Sequence, residues 1–266
     1  LHDALPIWTV QRGIKTAGVP LESGTHLYAG LWDGAKFIAV ATNGYIYTSP
    51  NGVAWNQQLA RPWNLIIDIA KSPTTLVIVG LNGSNAGSIA YSTDSGSTWS
   101  DAPGIYDAQL TSVCYGGGKF VAGGSKIYVS NDGVNWSESI AVSSLGWGTS
   151  SIGSVVWDGT KYLAIGGASE CATSPDGIIW TNQDGLKTVN PNISYVYWSG
   201  KMFIGYGNGP SVCYSYDGVS WADESQGLRD LWGVSKNGGS IRVSAAHWYN
   251  NKFILLGNNS LVATFS

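Results

Sequence analysis

Apolar and polar residues alternate along most of this chain in short runs, and glycine, asparagine or aspartate breaks each run before a helical period can build. Alternation with period two puts every second side chain on one face and predicts strands that turn one face to a core. The stretch from Ile152 to Thr181 shows the unit. Ile152–Trp157 predicts an inner strand, Lys161–Ile165 a second, Cys171–Ser174 a third and Ile178–Thr181 an outer one. Asp158-Gly159 and Asp176-Gly177 stand between runs. Asp-Gly and Asn-Gly at such places predict tight hairpin turns, because the turn needs φ > 0. A lone four-stranded sheet of this size cannot bury both faces. Stacking such units around an axis covers them.

The unit repeats. Ser92 to Trp99 has the form S-x-D-x-G-x-T-W, and four shorter relatives read S-x-[DN]-G-x-x-W: Ser49 to Trp55, Ser130 to Trp136, Ser174 to Trp180 and Ser215 to Trp221. Successive boxes begin 43, 38, 44 and 41 residues apart, the length of one four-stranded propeller blade. A second signature lies upstream of each box, an aromatic residue followed by a turn, a lysine and an aromatic strand start. Trp32-Asp33-Gly34 leads to Lys36-Phe37, Tyr115-Gly116-Gly117-Gly118 to Lys119-Phe120, and Trp157-Asp158-Gly159 to Lys161-Tyr162. Trp198-Ser199-Gly200 and Trp248-Tyr249-Asn250 follow the pattern, whereas Lys71-Ser72-Pro73-Thr74 departs from it. After the fifth box, His247–Tyr249, Phe253–Leu256 and Leu261–Phe265 predict three more strands, and Trp8-Thr9-Val10-Gln11 reads as a detached fourth. The expectation is an all-β fold, a β-propeller of six four-stranded blades with the last blade closed by both termini. A fragment of a seven-bladed propeller is the alternative.

Residues 1–7, LHDALPI, are what CTA CAC GAC GCT CTT CCG ATC encodes, a string that resembles the end of a common short-read sequencing adapter. They are read as adapter translation and set aside. Residues 8–266 are read as a single propeller domain whose true N-terminus is missing, which leaves room for other domains of a longer chain as partners.

The boxes resemble the Asp-box, or bacterial neuraminidase repeat, of sialidase-like β-propellers, and the resemblance covers essentially the whole of residues 8–266. It implies boxes in the turn between third and outer strands, on the face opposite the active site. There the carboxylate bonds the backbone of its own turn and the tryptophan packs between sheets. So Ser49, Asn51 and Trp55, Ser92, Asp94 and Trp99, Ser130, Asp132 and Trp136, Ser174, Asp176 and Trp180, and Ser215, Asp217 and Trp221 are expected to be structural. Asn51 fits that role, since an amide still accepts N–H bonds but is no general base. Calcium is not expected, because each box offers one carboxylate against the six to eight oxygens that ion takes. The resemblance is a strong signal of fold and a weak one of function, since such boxes occur in sialidases, other glycosidases, sorting receptors, assembly factors and phage-associated proteins.

Composition narrows the chemistry. Charged residues make up 12% of the 266, about half the usual share. The formal charge is −3 with no basic block, which argues against nucleic acid as a partner. No run of 18 apolar residues occurs, so no membrane span is expected. Outside residues 1–7 the only histidines are His26 and His247, and no cysteine or histidine partner lies at metal spacing; neither a metal nor a cofactor is expected. Cys114, Cys171 and Cys213 show no C-x-x-C spacing and read as buried thiols.

A sialidase-like enzyme, by the resemblance, would clamp a substrate carboxylate with three arginines, attack with a tyrosine assisted by a glutamate, and use an aspartate as acid and base. The chain has four arginines, Arg12, Arg61, Arg229 and Arg242, and lacks the family's Arg-Ile-Pro motif, of which Arg61-Pro62 is a poor echo. Arg12, Arg61 and Arg229 fall in connections between blades and Arg242 begins an inner strand. Glu22 and Tyr28 lie nearby in sequence, but no spacing brings them together as base and nucleophile.

Binding fits better. Ten of the thirteen tryptophans mark the repeat: five in the boxes, Trp8 in the detached outer strand, and Trp32, Trp157, Trp198 and Trp248 at the ends of inner strands. Trp63, Trp147 and Trp232 remain, all in blade-to-blade connections, with Tyr106 in another. They predict an aromatic rim for stacking sugar rings around the mouth opposite the boxes. A second ring follows from register: His26, Gln109, Ser151, Asn192 and Arg242, with Leu65 as the counterpart in the second unit. Varied residues at equivalent positions suit one asymmetric ligand. The leading expectation is a secreted or virion-associated propeller that binds a glycan or cell-surface ligand without catalysis. An exo-glycosidase of the sialidase-like type and a structural or assembly scaffold are the alternatives.

Overall fold

The computed structural model describes residues 15–16, 19–20, 25–104, 109–148, 150–232, 243–249, 252–257 and 262–265. Among the described residues six sheets follow one another along the chain, each built from consecutive strands and antiparallel save for one pair in the first. The fourth sheet holds Ile152–Trp157, Tyr162–Gly166, Cys171–Ser174 and Thr181–Asn182. Its inner and third strands match the sequence expectation, and its outer strand is shorter. The amides of Ile178 and Ile179 donate to Asp176 Oδ1 at 2.8 and 2.9 Å, so they serve the box turn rather than the ladder. Sheets two, three and five repeat this order with four strands, and the sixth shows three, Val243–Tyr249, Lys252–Gly257 and Val262–Phe265. Trp8–Gln11, expected as a fourth strand, lies outside the described residues.

Two features go beyond the sequence expectation. A hairpin of Lys15–Thr16 and Val19–Pro20 adds to the first sheet, with Lys15 and Thr16 running parallel to Ala54 and Trp55 of its outer strand. Among the described residues two α-helices occupy connections: α1, Gly185–Val189, between the fourth and fifth sheets, and α2, Ser225–Trp232, after the fifth.

The core lies in the seams between consecutive sheets, not inside any one sheet. Ile38, Val40 and Ile46 of the first sheet pack with Ile66, Leu76 and Ile78 of the second. Val77 and Val79 pack with Leu110, Val113 and Phe120 of the third, and the same interdigitation continues to the sixth. Each seam removes apolar surface that a single sheet leaves in water. The two signatures meet inside a sheet. Trp157 packs on Tyr162 with ring centroids 4.5 Å apart, and Tyr162 on Trp180 at 6.5 Å. Trp32, Phe37 and Trp55 form the same column, as do Tyr115, Phe120 and Trp136, and Trp198, Phe203 and Trp221. The second sheet has Leu76 in the middle place and no such column. At its departing turn, Ser72 Oγ accepts the amides of Thr74 and Thr75 at 3.3 and 2.9 Å. Asp158 Oδ1 does the same for Thr160 and Lys161 in the fourth sheet.

Candidate functional site

The boxes hold one face together. In the fourth sheet Ser174 Oγ accepts the Gly177 amide at 2.8 Å and donates to Asp176 Oδ1, and Trp180 Nε1 donates to the Gly177 carbonyl at 3.0 Å. The N–H groups of Ile179 and Ile178 hold the Asp176 carboxyl below the ordinary carboxylate range. Ser130, Asp132 and Trp136 make the same bonds, and Ser92, Asp94 and Trp99 make them in the longer box. Asn51 Oδ1 accepts from Val53 and Ala54 at 2.9 and 3.2 Å, so the amide fills the carboxylate's place. Ser215 and Asp217 close the fifth box, where Trp221 Nε1 is buried without a partner. The first and third sheets also reach the next box. Lys36 Nζ donates to the Ser95 carbonyl at 2.8 Å, and Lys119 Nζ to that of Asp176 at 3.2 Å.

Strand direction carries the chain from this face to the opposite one, where the inner strands begin. There the register aligns Leu27, Ile66, Leu110, Ile152, Ile193 and Val243, each paired with a residue of its sheet's second strand, and a β-bulge follows each. Bulges re-aim side chains at the ends of sheets. In the third and fifth sheets a glycine on the second strand lets the inner strand come close; in the first sheet Ala41 holds that place. A Cβ at Gly124 would lie 1.8 Å from the Gln109 carbonyl oxygen, and one at Gly207 would lie 2.2 Å from that of Asn192. The residues just ahead of the aligned set are His26, Leu65, Gln109, Ser151 and Asn192. All but half-buried Leu65 are exposed. The Asn192 amide donates to Asn190 Oδ1 at 3.0 Å, which fixes its backbone. Arg242, the sixth member, lies outside the described residues.

The aromatic rim is corrected. Trp63 is 5% exposed and Trp147 3%. Trp63 begins the inner strand of the second sheet and packs in the first seam. Trp147 fills the seam between the third and fourth sheets, where its Nε1 donates to Asn182 Oδ1 at 2.8 Å. Both tryptophans bury a large ring and leave no face for a sugar. Tyr106 and the side chain of Trp232, the last residue of α2, lie outside the described residues. Arg61 is corrected too: it pairs with Asp101 and donates to the Trp99 carbonyl at 3.2 Å, tying the connection to the second sheet. Arg229 lies on α2 and donates to Gln226 Oε1 at 3.2 Å. Arg12 and Glu22 lie outside the described residues, and Tyr28 is exposed on the first inner strand.

Two features were missed. One is Asp68, the acid in the apolar inner strand Trp63–Lys71. Its Oδ1 accepts the Ile69 amide at 2.8 Å, and its Oδ2 accepts Ser112 Oγ at 3.0 Å and the Val113 amide at 2.9 Å. Ser112 Oγ in turn accepts the Val155 amide at 3.1 Å, and Ser154 Oγ donates to the Val196 carbonyl at 3.1 Å. Hydrogen bonds therefore pass between inner strands from the second sheet to the fifth. An acid inside an apolar run was its signal in the sequence. The other is a cavity of about 300 Å³ on the face opposite the boxes, bordered by Trp63, Asn82, Ser88, Ile89, Asp101 and Gly104. The cysteines are free, and desolvation pushes the Cys171 thiol up to about 12. No helix among the described residues is long and apolar enough to cross a membrane.

No protein-family profile and no curated protein matches the chain. Solved structures do. YCF48 from Cyanidioschyzon merolae is similar with a TM-score of 0.66 at 16% identity, covering 92% of this chain and 83% of its own. The WD40 beta propeller domain of Doa1 is similar with a TM-score of 0.58 at 12% identity, covering 92% and 83%. The chain is a β-propeller. YCF48 bound to D1 peptide is also similar, with a TM-score of 0.66 at 15% identity, covering 90% of this propeller and 77% of that chain. At these identities the likeness speaks for fold alone.

Proposed function

We propose that this propeller is a non-catalytic binding protein of the Asp-box, sialidase-like kind, and that it takes a glycan or other cell-surface ligand at the mouth opposite the boxes. The observation that carries the reading is the ring of His26, Gln109, Ser151 and Asn192. These side chains are exposed at equivalent register and differ in chemistry. Such a ring offers one asymmetric ligand a distinct set of donors and acceptors. With Trp63 and Trp147 in the seams, recognition rests on hydrogen bonding rather than on ring stacking. Arg61 is committed to Asp101, which weighs against an arginine clamp and so against the glycosidase alternative.

A glycan array paired with a fluorogenic sialoside assay tests this. Array binding that weakens in Asn192→Ala and Gln109→Ala, with no turnover, is the expected result. Turnover that is lost in Arg229→Ala makes the protein an enzyme and overturns the reading.

A further inference from the structure

Five seams between consecutive sheets are closed by the same two positions. One is the residue ahead of the bulge on an inner strand: Ile66, Leu110, Ile152, Ile193 and Val243, all buried. The other lies on the second strand of the sheet before, paired with the first residue past that sheet's own bulge. Val40 and Ile66 thus share a core cluster, as do Val79 and Leu110, and Ile165 and Ile193. Gly123 holds the place in the third seam, where a Cβ would lie 2.8 Å from Ile152 Cγ2. Tyr206 packs on the cluster that contains Val243.

The same register assigns Leu256 and Leu27 to the place where the last sheet would meet the first. Leu256 is 45% exposed and Leu27 42%. The rest of that side of the first sheet agrees. Phe37 is 36% exposed, while its counterparts Leu76, Phe120, Tyr162 and Phe203 are buried. Trp32 is exposed, while its counterpart Trp157 packs on the third sheet, where a Cβ at Gly116 would lie 2.0 Å from the indole. A sixth sheet packed on the first would cover Leu27 with Leu256, as the other seams cover their inner-strand residues. A repeat array that ends in the open carries polar residues on its terminal faces. Here leucine, phenylalanine and tryptophan stand in water instead.

The repeat says what these two faces fit. A face that packs on a sheet in five other places takes a sheet here. One further unit would serve both sides at once, bringing a second-strand residue to Leu27 and an inner-strand residue to Leu256. The sequence carries the mark of such a unit ahead of the first sheet. Trp8 stands 24 residues before Trp32, as Trp99 stands 16 before Tyr115 and Trp221 27 before Trp248. We propose that the break between the sixth and first sheets docks one further four-stranded unit of this repeat. The unit is borne by the same polypeptide, has Trp8 as its box tryptophan, and closes a ring of seven blades. This docking surface lies between sheets, so it is separate from the mouth ring and does not rest on it.

The test builds that unit from the chain's own sequence. A copy of residues 150–179 is joined to Trp8 in place of residues 1–7, so that Trp8 takes the place of Trp180. Hydroxyl-radical footprinting then reads Phe37 and Leu256. In the parent chain Phe37 should oxidise at least fivefold faster than Phe203. In the extended chain its rate should fall to that of Phe203, with Leu256 protected in step. A folded extended chain in which Phe37 and Leu256 stay as reactive as in the parent overturns the proposal. So does protection of Phe37 in the parent alone, whether by the sixth sheet or by a second copy. If the extended chain fails to fold, the pair Leu27→Cys and Leu256→Cys in the parent decides. A disulfide between them means that the sixth sheet closes on the first and overturns the proposal. Two thiols that stay free and react with maleimide uphold it.

Discussion

Ser112 Oγ lies 3.0 Å from Asp68 Oδ2 and joins the inner strands of the second and third sheets. The same oxygen accepts the Val155 amide of the fourth sheet. One hydroxyl thus ties three sheets. Ser112→Ala leaves the buried end of Asp68 and the Val155 amide each short of a partner. The expected cost is about 1–3 kcal/mol, read as a lower urea midpoint with an unchanged slope. A variant as stable as the parent would show that the relay is idle.

Asp68 also sets a pH dependence. Desolvation raises its pKa from 3.8 to about 6, against the opposing bonds from Val113, Ile69 and Ser112. The thiol of Cys114 and the hydroxyl of Tyr206 feel its charge, and both are pushed up, so they stay neutral in this range. The folded protein holds the Asp68 proton more tightly than the unfolded chain. This contribution is fully present below about pH 4 and is lost as pH rises through about 6. A change of that size corresponds to about 3 kcal/mol. Stability measured from pH 4 to 7 should therefore fall as pH rises, and Asp68→Asn should flatten that slope. An unchanged slope in Asp68→Asn assigns it to another group.

The box carboxyls act in the opposite sense. The hydroxyl and amide of Thr98 hold Asp94 well below the carboxylate range. At Asp132 desolvation works to raise the value, and the bonds from Asn135 and Val134 outweigh it. These groups stabilise the fold above pH 4, and the contribution is lost as pH falls through their lowered values. Asn51 contributes nothing of this kind. Asn51→Asp should therefore make acid unfolding below pH 4 steeper, while leaving the strand content measured at pH 7 unchanged.

The strands were legible because period-two runs and turn residues are local signals. Ile152–Trp157 and Cys171–Ser174 follow from sequence and are found as such. Outer strands were less legible, since the amides expected to open them serve the box turn instead, as at Ile178. The helices α1 and α2 stayed hidden because each is short and packed into a connection, where tertiary contact outweighs propensity. At the candidate site, the ring of His26, Gln109 and Asn192 came from register alone. The fate of Trp63 and Trp147 did not, because a tryptophan outside the repeat is placed by the shape of the seam.

Trp147 offers a direct check on that correction. Its ring fits against Gly166, where a Cβ would come within 2.9 Å of it. Trp147→Ala should cost about 3–5 kcal/mol, as large-to-small changes in a core do, and it strands Asn182 without its donor. Trp147→Phe keeps most of the packing and should cost less. A rim tryptophan would give little loss of stability in either variant, so thermal melts of the pair separate seam from rim.

Two glycines of the third sheet should respond very differently to alanine. Gly118 has φ +80°, and nothing lies within 4 Å of where a Cβ would stand, so Gly118→Ala meets backbone strain alone, about 1 kcal/mol. Gly124 sits on the second strand, and its Cβ would lie 1.8 Å from the Gln109 carbonyl oxygen and 2.8 Å from its carbon. These are backbone atoms, which no rotamer change can move. Gly124→Ala must push the inner strand away and undo the bulge between Leu110 and Ser112. Because Ser112 is the hydroxyl that joins Asp68 to Val155, the disturbance reaches both the mouth ring and the relay. Gly124→Ala should lower stability more than Gly118→Ala and speed amide exchange at Leu110 and Val113. Equal melting temperatures for the two variants would mean that the bulge yields freely and does not fix Gln109.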